Sequence, residues 1–346
     1  MSIFTHIEFD QHEQVVFCHD AKSGLRAIIA VHNTSRGPAL GGCRMWPYAS
    51  DQEALNDVLR LSRGMTYKSA LANLPLGGGK AVIIGDPRKD KSPELLRALG
   101  TFIERLDGRY ITAEDSGTSV ADMAIIGEAT QYVSGVVHGS AHGGDPSPST
   151  AYGTYVGLKQ AVKHRLGTDS VSGLKIAIQG VGNVGHHLAN YLKRDGAELI
   201  ITDIFRDNID RTVATTSARV VEPDQIFDVD ADVFAPCAMG GILNDLTIPR
   251  LKAQVIAGAA NNQLGKAAHG AQLAAADVLY APDYVLNAGG IIDIAYQRSG
   301  EGEAALKAHI EGIGDTLAEI FYRASEMKKP TDLVANQLAE ERFQRC

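Results

Sequence analysis

Gly180-Val181-Gly182-Asn183-Val184-Gly185 spaces three glycines so that backbone, not side chain, could meet a ligand. Gly180 would permit a tight turn, Gly182 would let a pyrophosphate approach, and Gly185 would let a helix pack closely on a strand. The free N–H groups at the helix start would then face the phosphates. A GxGxxG run alone is weak evidence. Here the apolar run Lys175–Gln179 precedes it, a helical pattern opens at Val184, and Asp203 ends the next apolar run, 203 − 180 = 23 residues after Gly180. An acidic residue about 20 positions on is where a ribose hydroxyl would be held. A carboxylate accepts from a 2′-hydroxyl and repels a 2′-phosphate, so Asp203 predicts NAD over NADP, although Arg206 could rescue a phosphate. The bland alternative is a Gly-rich turn with no ligand.

A second glycine cluster, Leu76-Gly77-Gly78-Gly79-Lys80, leads into a lysine. Three glycines carry a large ordering cost and make sense where something must lie against bare backbone. A lysine entering the apolar run Ala81–Ile84 would be partly desolvated, and desolvation is what turns an ammonium group into a usable base. Lys68, in Met65-Thr66-Tyr67-Lys68, lies three residues past Met65, on or beside the apolar face of a helical run. If the two lysines converge, a substrate carboxylate could neutralise one of them. On spacing alone, the commoner fate of both is to carry their charge to solvent. Thr112-Ala113-Glu114-Asp115-Ser116-Gly117-Thr118 adds a carboxylate pair, which reads equally as a helix cap with first-turn charges.

Polar residues also follow the later apolar runs: Cys237-Ala238, Asn261-Asn262 and Asn287-Ala288-Gly289-Gly290. Ligands of open α/β sheets lie beyond the carboxyl ends of strands, so these amides could hold a nicotinamide carboxamide or a polar substrate. Singly, each is as readily a turn or a cap.

The elements that must carry these groups are legible in outline. Gln14–Asp20 and Leu25–Asn33 are predicted strands, joined by a turn at Ala21-Lys22-Ser23-Gly24. Gly37–Met45 is Gly-rich and predicted irregular. Asp51 opens a long helix, with Ala54, Leu55, Val58, Leu61 and Met65 returning at three- and four-residue steps. A short buried strand at Ala81–Ile84, a helix over Pro93–Leu106 and a strand at Tyr110–Thr112 follow. From about Ser149 the pattern becomes regular alternation. Strands are predicted at Leu174–Gln179, Glu198–Thr202, Val233–Ala235, Val255–Ala257 and Val278–Tyr280, with a helix over Val184–Arg194. Two helices, Ala304–Met327 and Thr331–Arg345, close the chain. Such alternation predicts an α/β fold with a doubly wound, mostly parallel sheet.

Composition narrows the class. A length of 346 residues suggests two domains. Apolar residues at 45% and charged residues at 21% are ordinary globular usage. The net charge, 33 − 41 = −8, disfavours a polyanion, so nucleic acid is not expected as a partner. Cys18, Cys43, Cys237 and Cys346 form no CxxC pair, and His138, His142, His186 and His187 lack metal-ligand spacing, so no metal is expected. With no signal-like N terminus and no membrane-length apolar run, the expectation is a cytoplasmic protein.

Taken together, Gly37-Pro38-Ala39-Leu40-Gly41-Gly42, Met65–Lys68, Leu76–Lys80, Thr112–Asp115, Gly180–Gly185 and Asn287–Gly290 resemble the glutamate/leucine/phenylalanine/valine dehydrogenases. The likeness runs from about residue 20 to the end, with the leucine-specific members nearest. It implies two α/β domains. Residues 1–135 would bind substrate and mediate oligomerisation, completed by the C-terminal helix at about 328–346, and 136–327 would form a Rossmann-type NAD domain. The active site would lie in the cleft between. The implied reaction is reversible oxidative deamination of an L-amino acid to a 2-oxo acid and ammonia by a homo-oligomer, an octamer being one form.

The resemblance also implies roles. Lys80 would activate the water that attacks the imine, Asp115 would handle protons at the amino group, and Lys68 would bind the substrate carboxylate. Gly41, Gly42, Met65 and Asn262 would also line the substrate site. Thr150, Val181, Asn183, Val184, Cys237, Ala238, Asn261 and Asn287 would join Gly180, Gly182, Gly185 and Asp203 around NAD. The side-chain pocket would be Leu40, Ala113, Ser134, Ile291 and Ile294. Glutamate enzymes have a lysine matching Leu40, which argues against glutamate. Phenylalanine-specific members tend to have Gly matching Ala113, which argues for leucine, with valine and isoleucine behind. Asp145 departs from the Asn of leucine-specific members. The alternatives are a phenylalanine or other aromatic amino acid dehydrogenase, a hydroxy-acid dehydrogenase (which would want a His as acid/base) and a non-catalytic NAD-binding protein.

Overall fold

Strands β1 (Gln14–Asp20) and β2 (Leu25–Asn33) pair antiparallel across the turn, where Gly24 takes a positive φ of 75°. These and all following elements belong to a computed structural model that describes residues 3–135 and 145–344. His138, His142 and Cys346 lie outside the described residues. The chain divides into two units: Met1–Asp145 with Gln297–Gly300 and Ala339–Cys346, and Pro146–Tyr296 with Glu301–Leu338.

In the first unit a five-stranded sheet has the order β1-β2-β4-β3-β5. β3 (Ala39–Trp46) is a regular strand where irregular chain was expected, parallel to both β4 (Gly77–Ile84) and β5 (Tyr110–Glu114). β4 begins at the glycines, four residues before the predicted Ala81. Helix α1 (Asp51–Leu71), capped by the Ser50 side chain accepting from the Glu53 N–H, covers one face. Its Ala54, Val58 and Leu59 pack on Ile28, Ala30 and Val82. Helices α2 (Pro93–Glu104) and α3 (Val120–Gly127) cover the other, placing Leu96, Leu99, Met123 and Ile126 against Ala27, Ile29, Ala81 and Ile83. The returning C terminus is fastened to the end of α1. The Phe343 ring lies 5.5 Å from that of Tyr67, the Tyr67 hydroxyl donates to Glu340 at 2.8 Å, and Arg342 donates to the carbonyls of Ala70 and Leu71 at the helix end.

The second unit opens with helix α4 (Ser147–Leu166), then β6 (Lys175–Gln179), α5 (Asn183–Arg194), β7 (Glu198–Thr202), α6 (Arg206–Thr216) and β8 (Arg219–Val220). β9 (Val233–Pro236), β10 (Val255–Ile256), α7 (Ala268–Ala275) and β11 (Leu279–Tyr280) follow. The helices α8 (Asp283–Leu286), α9 (Gly289–Ser299), α10 (Glu303–Met327) and α11 (Thr331–Gln344) complete the chain. The six strands are parallel, in the order β11-β10-β9-β6-β7-β8. After β6 the chain builds outward to β8, then jumps back to β9 on the other side. That reversal puts the switch point at the carboxyl end of β6, where such sheets bind ligands. Among the described residues no helix is long and apolar enough to cross a membrane, and no cluster of His, Cys, Asp and Glu is placed to hold a metal.

Candidate active site

Strand periodicity puts one set of side chains on the α1 face of the first sheet. Leu40 pairs with Gly78, Gly42 with Ala113, and Arg44 with Val82, itself packed under α1. Lys80, two residues before Val82, shares that face. It is 6% exposed, and its ammonium group is ion-paired with Asp115, just past the end of β5. On the far side of Asp115, Arg44 Nε lies 3.5 Å from the carboxylate, while Arg44 Nη1 donates to Asp57 of α1 at 2.8 Å. Tyr48 and Arg60 also donate to Asp57. Positive and negative charges therefore alternate through Lys80, Asp115, Arg44 and Asp57.

Burial alone would raise the Asp115 carboxyl, but Lys80 and Arg44 together hold it below the ordinary carboxylate range. The neighbouring Glu114 shifts the other way, pushed up by burial and then by the Asp145 carboxylate. Two adjacent carboxyl groups are thus driven in opposite directions.

Beside this cluster, what lies against the bare glycine backbone is the chain itself. A Cβ on Gly77 would come within 2.0 Å of the Asn33 carbonyl oxygen, one on Gly78 within 2.0 Å of the Thr66 nitrogen, and one on Gly79 within 2.7 Å of the Tyr110 ring. The β3–β4 ladder runs through Leu40–Gly78 and resumes at Cys43–Ala81, leaving Gly41 and Gly42 opposite Gly79 and Lys80. The buried Tyr110 hydroxyl donates to the Gly41 carbonyl at 2.8 Å. Lys80 is thereby held in a stretch of backbone fixed on both sides.

Met65 lies near Gly41, and Lys68 follows one turn later on α1, half-buried. Leu40 and Ala113 are buried. Ser134 is buried too, its N–H donating to the Thr112 carbonyl and its hydroxyl without a partner. Arg44, Asp57 and Tyr110 had no motif to betray them. The available signal was Arg44's position two residues past Gly42, on the strand face that Lys80 shares.

In the second unit, Gly180 has φ +90°, and a Cβ there would come within 2.6 Å of Ala238. A Cβ on Gly185 would come within 2.1 Å of the Gly180 carbonyl oxygen. Gly182 meets nothing within 4 Å, so its bare face looks onto open space where α5 begins, with Asn183 and Val184 in its first turn. The Asp203 carboxylate accepts from the backbone N–H groups of Val181 (2.8 Å) and Phe205 (2.9 Å) and from the Asn208 amide (3.3 Å). A carboxylate offers about four acceptor sites, so roughly one is left for a ribose. Arg206 pairs with Asp210 at 2.9 Å.

Among the described residues, the buried side-chain oxygens without a hydrogen-bond partner in this unit include Gln179 Oε1 at the end of β6, Thr202 Oγ1 at the end of β7, and Asn287 Oδ1, besides Gln263 Oε1 and Asp332 Oδ1. The Asn287 amide N–H groups are taken by the Asn261 side chain (2.7 Å) and the Ala259 carbonyl (3.2 Å). Asn287 does not end a strand; it follows α8, one helical turn beyond β11. Asn262 is exposed with φ +52°. The Cys237 thiol is pushed up to about 12 by burial and stays neutral. Thr150 donates to the Pro146 carbonyl, and Gly289 and Gly290 let α9 approach it closely. Ile291 and Ile294 lie one turn apart on α9. Unpartnered acceptors at strand ends and an open glycine at a helix start suit a dinucleotide.

Comparison with known proteins agrees. Residues 12–132 match the dimerisation domain of the Glu/Leu/Phe/Val dehydrogenases, and residues 143–204 and 201–300 match the Glutamate/Leucine/Phenylalanine/Valine dehydrogenase domain. The chain belongs to this family. It is an amino acid dehydrogenase, in a family of NAD(P)-dependent enzymes, which sets aside the hydroxy-acid and non-catalytic alternatives. Leucine dehydrogenase of Thermoactinomyces intermedius is 53% identical over 344 residues, 99% of this chain and 94% of that protein. Phenylalanine dehydrogenase of Caldalkalibacillus thermarum is 46% identical over 350 residues, 100% and 95% respectively. The crystal structure of L-tryptophan dehydrogenase from Nostoc punctiforme superposes with a TM-score of 0.87 at 44% identity, covering 97% of this dehydrogenase and 96% of that chain.

Proposed function

We propose that this dehydrogenase carries out the reversible, NAD-dependent oxidative deamination of branched-chain aliphatic L-amino acids, leucine first, then valine and isoleucine. The observation that carries the reading is the apolar wall beside Lys80: Leu40 and Ala113, both buried on the sheet face that bears the Lys80–Asp115 pair. Leu40 cannot itself pair with a side-chain carboxylate, and burying an unpaired one against it would cost several kcal/mol.

In this reading an amino acid, NAD⁺ and water give a 2-oxo acid, ammonium, NADH and a proton. NAD, when bound, accepts the hydride from Cα. Everything else falls to the chain. Lys68 holds the substrate carboxylate, and Asp115 takes protons from the amino nitrogen and returns them to it. Lys80, relieved of its own proton, draws one from the water that adds to the imine carbon. Within the first unit, Gly41, Gly42 and Met65 complete the substrate surroundings, and Ser134 joins Leu40 and Ala113 in the side-chain pocket. The first unit is then the substrate half and the second the NAD half. The remaining acceptor site on Asp203 and the engagement of Arg206 by Asp210 favour NAD over NADP. The family model for residues 12–132, a dimerisation domain, favours a homo-oligomer assembled through the first unit. The free thiols of Cys18, Cys43 and Cys237 favour a reducing, cytoplasmic setting.

The likeness to phenylalanine dehydrogenase keeps an aromatic substrate as the second reading. Comparing kcat/KM for L-leucine and L-phenylalanine decides between them. Leucine should lead by about tenfold or more, within the 1–3 kcal/mol that an apolar pocket discriminates. A higher value for phenylalanine would overturn the pocket while leaving the reaction class intact.

A further inference from the structure

We propose that Arg44 is a positioning residue for the Lys80–Asp115 pair, holding Asp115 from its far side while itself braced by Asp57, and that it thereby sets the pH at which the pair becomes competent. The inference deepens the proposed function and rests on the role given there to Asp115.

The geometry is specific. Arg44 reaches Asp115 through Nε at 3.5 Å and Asp57 through Nη1 at 2.8 Å, so one guanidinium spans the end of β5 and the middle of α1. Its side chain is 23% exposed, and those of Asp57 and Asp115 are 14% and 18% exposed, so solvent screens this chain of charges only partly. A planar fork suits two carboxylates at once, which lysine cannot match. Asp57 is fixed in turn by the Tyr48 hydroxyl at 2.7 Å and by Arg60 at 3.0 Å.

The other groups around Asp115 do not supply the same control. From β3, the Cys43 thiol is pushed up to about 12 by burial and then by Asp115. The Tyr110 hydroxyl of β5 and the Tyr48 hydroxyl are raised by burial, and both remain neutral. Glu114, on the same strand as Tyr110, is a carboxyl group and can only oppose ionisation of Asp115. Among the described residues that leaves Lys80 from β4 and Arg44 from β3 as the cations ion-paired with it.

The acid limb of kcat/KM reports the proton that the site must lose before turnover. Loss of a nearby cation favours the protonated forms and moves that limb up. Loss of a nearby anion moves it down. Arg44→Gln should therefore shift the limb upward by about one pH unit. Asp57→Asn should shift it downward. The substrate's own amino group titrates identically in every variant, so it cancels in the comparison. A residue that only braces the fold would lower kcat/KM at all pH values and leave the limb in place.

The experiment is the pH profile of kcat/KM for L-leucine in the parent, Arg44→Gln, Asp57→Asn and Asp115→Asn, each as the full chain. Opposite shifts in the first two variants support the proposal, and limbs that stay put or move together overturn it. If Arg44→Gln does not fold, Arg44→Lys decides alone, since it keeps the charge but cannot span both carboxylates: an upward shift supports the proposal, and none overturns it. If Asp115→Asn keeps parental turnover, the role assigned to Asp115 fails. If Asp115→Asn is inactive and the limbs do not move, only the inference about Arg44 fails.

Discussion

Lys80→Ala should yield a folded enzyme that binds NADH as the parent does yet turns over L-leucine some ~10²–10⁴-fold more slowly, the range that general-base catalysis contributes. The two halves of this expectation come from different parts of the chain. Lys80 sits mid-way along β4 in the first unit, whereas the Gly180–Gly185 turn and Asp203 belong to the second. Asp115 does not become an isolated buried charge in the variant, because Arg44 remains 3.5 Å away, so the fold should survive. NADH affinity from fluorescence titration and kcat from absorbance give the two numbers. Turnover within tenfold of the parent, in a variant that melts normally, would remove Lys80 from the chemistry.

Gly41→Ala should be the most damaging single methyl group in the first unit. The new Cβ would come within 1.7 Å of the Gly79 carbonyl oxygen, and that obstacle is backbone rather than a side chain that can rotate away. Relief requires β3 and β4 to part beside Lys80, breaking the Tyr110–Gly41 hydrogen bond as well. Overpacking of this kind costs about 1–3 kcal/mol or more, and here it acts where the site is built. A clear fall in Tm with loss of turnover is expected. Gly182→Ala supplies the contrast, because its Cβ would meet nothing within 4 Å and should leave the Tm of the free enzyme almost unchanged. Equal melting of Gly41→Ala and the parent would mean that the close approach of β3 and β4 is not real.

Which parts of this arrangement can be read from sequence follows from where the signal lies. β1, β2 and β7 coincide with their predicted limits because each is an apolar run with side chains to display a period. β3 was hidden since Gly41 and Gly42 contribute no side chains, and the strand is held by its neighbours on both sides. α4 was obscured for a related reason. Gly153 and Gly157 occupy its packed face, where Cβ atoms would strike Ile313, Leu286 and Leu317, so the helix shows little apolar stripe. The three glycines before Lys80 signalled a close approach, but what approaches them could not be read, because Asn33, Thr66 and Tyr110 are distant in sequence. Lys80 and Asp115 could be singled out by type and setting, but their pairing depends on β4, β3 and β5 lying side by side. Arg44 and Asp57 carry no motif, and only that same register joins them to the pair.

The products formed when the enzyme is mixed with NAD and L-leucine test the proposed reaction most directly. NADH, ammonia and the 2-oxo acid derived from leucine should appear in equal amounts. NADH formed without ammonia, or none formed with any branched-chain amino acid, would contradict it.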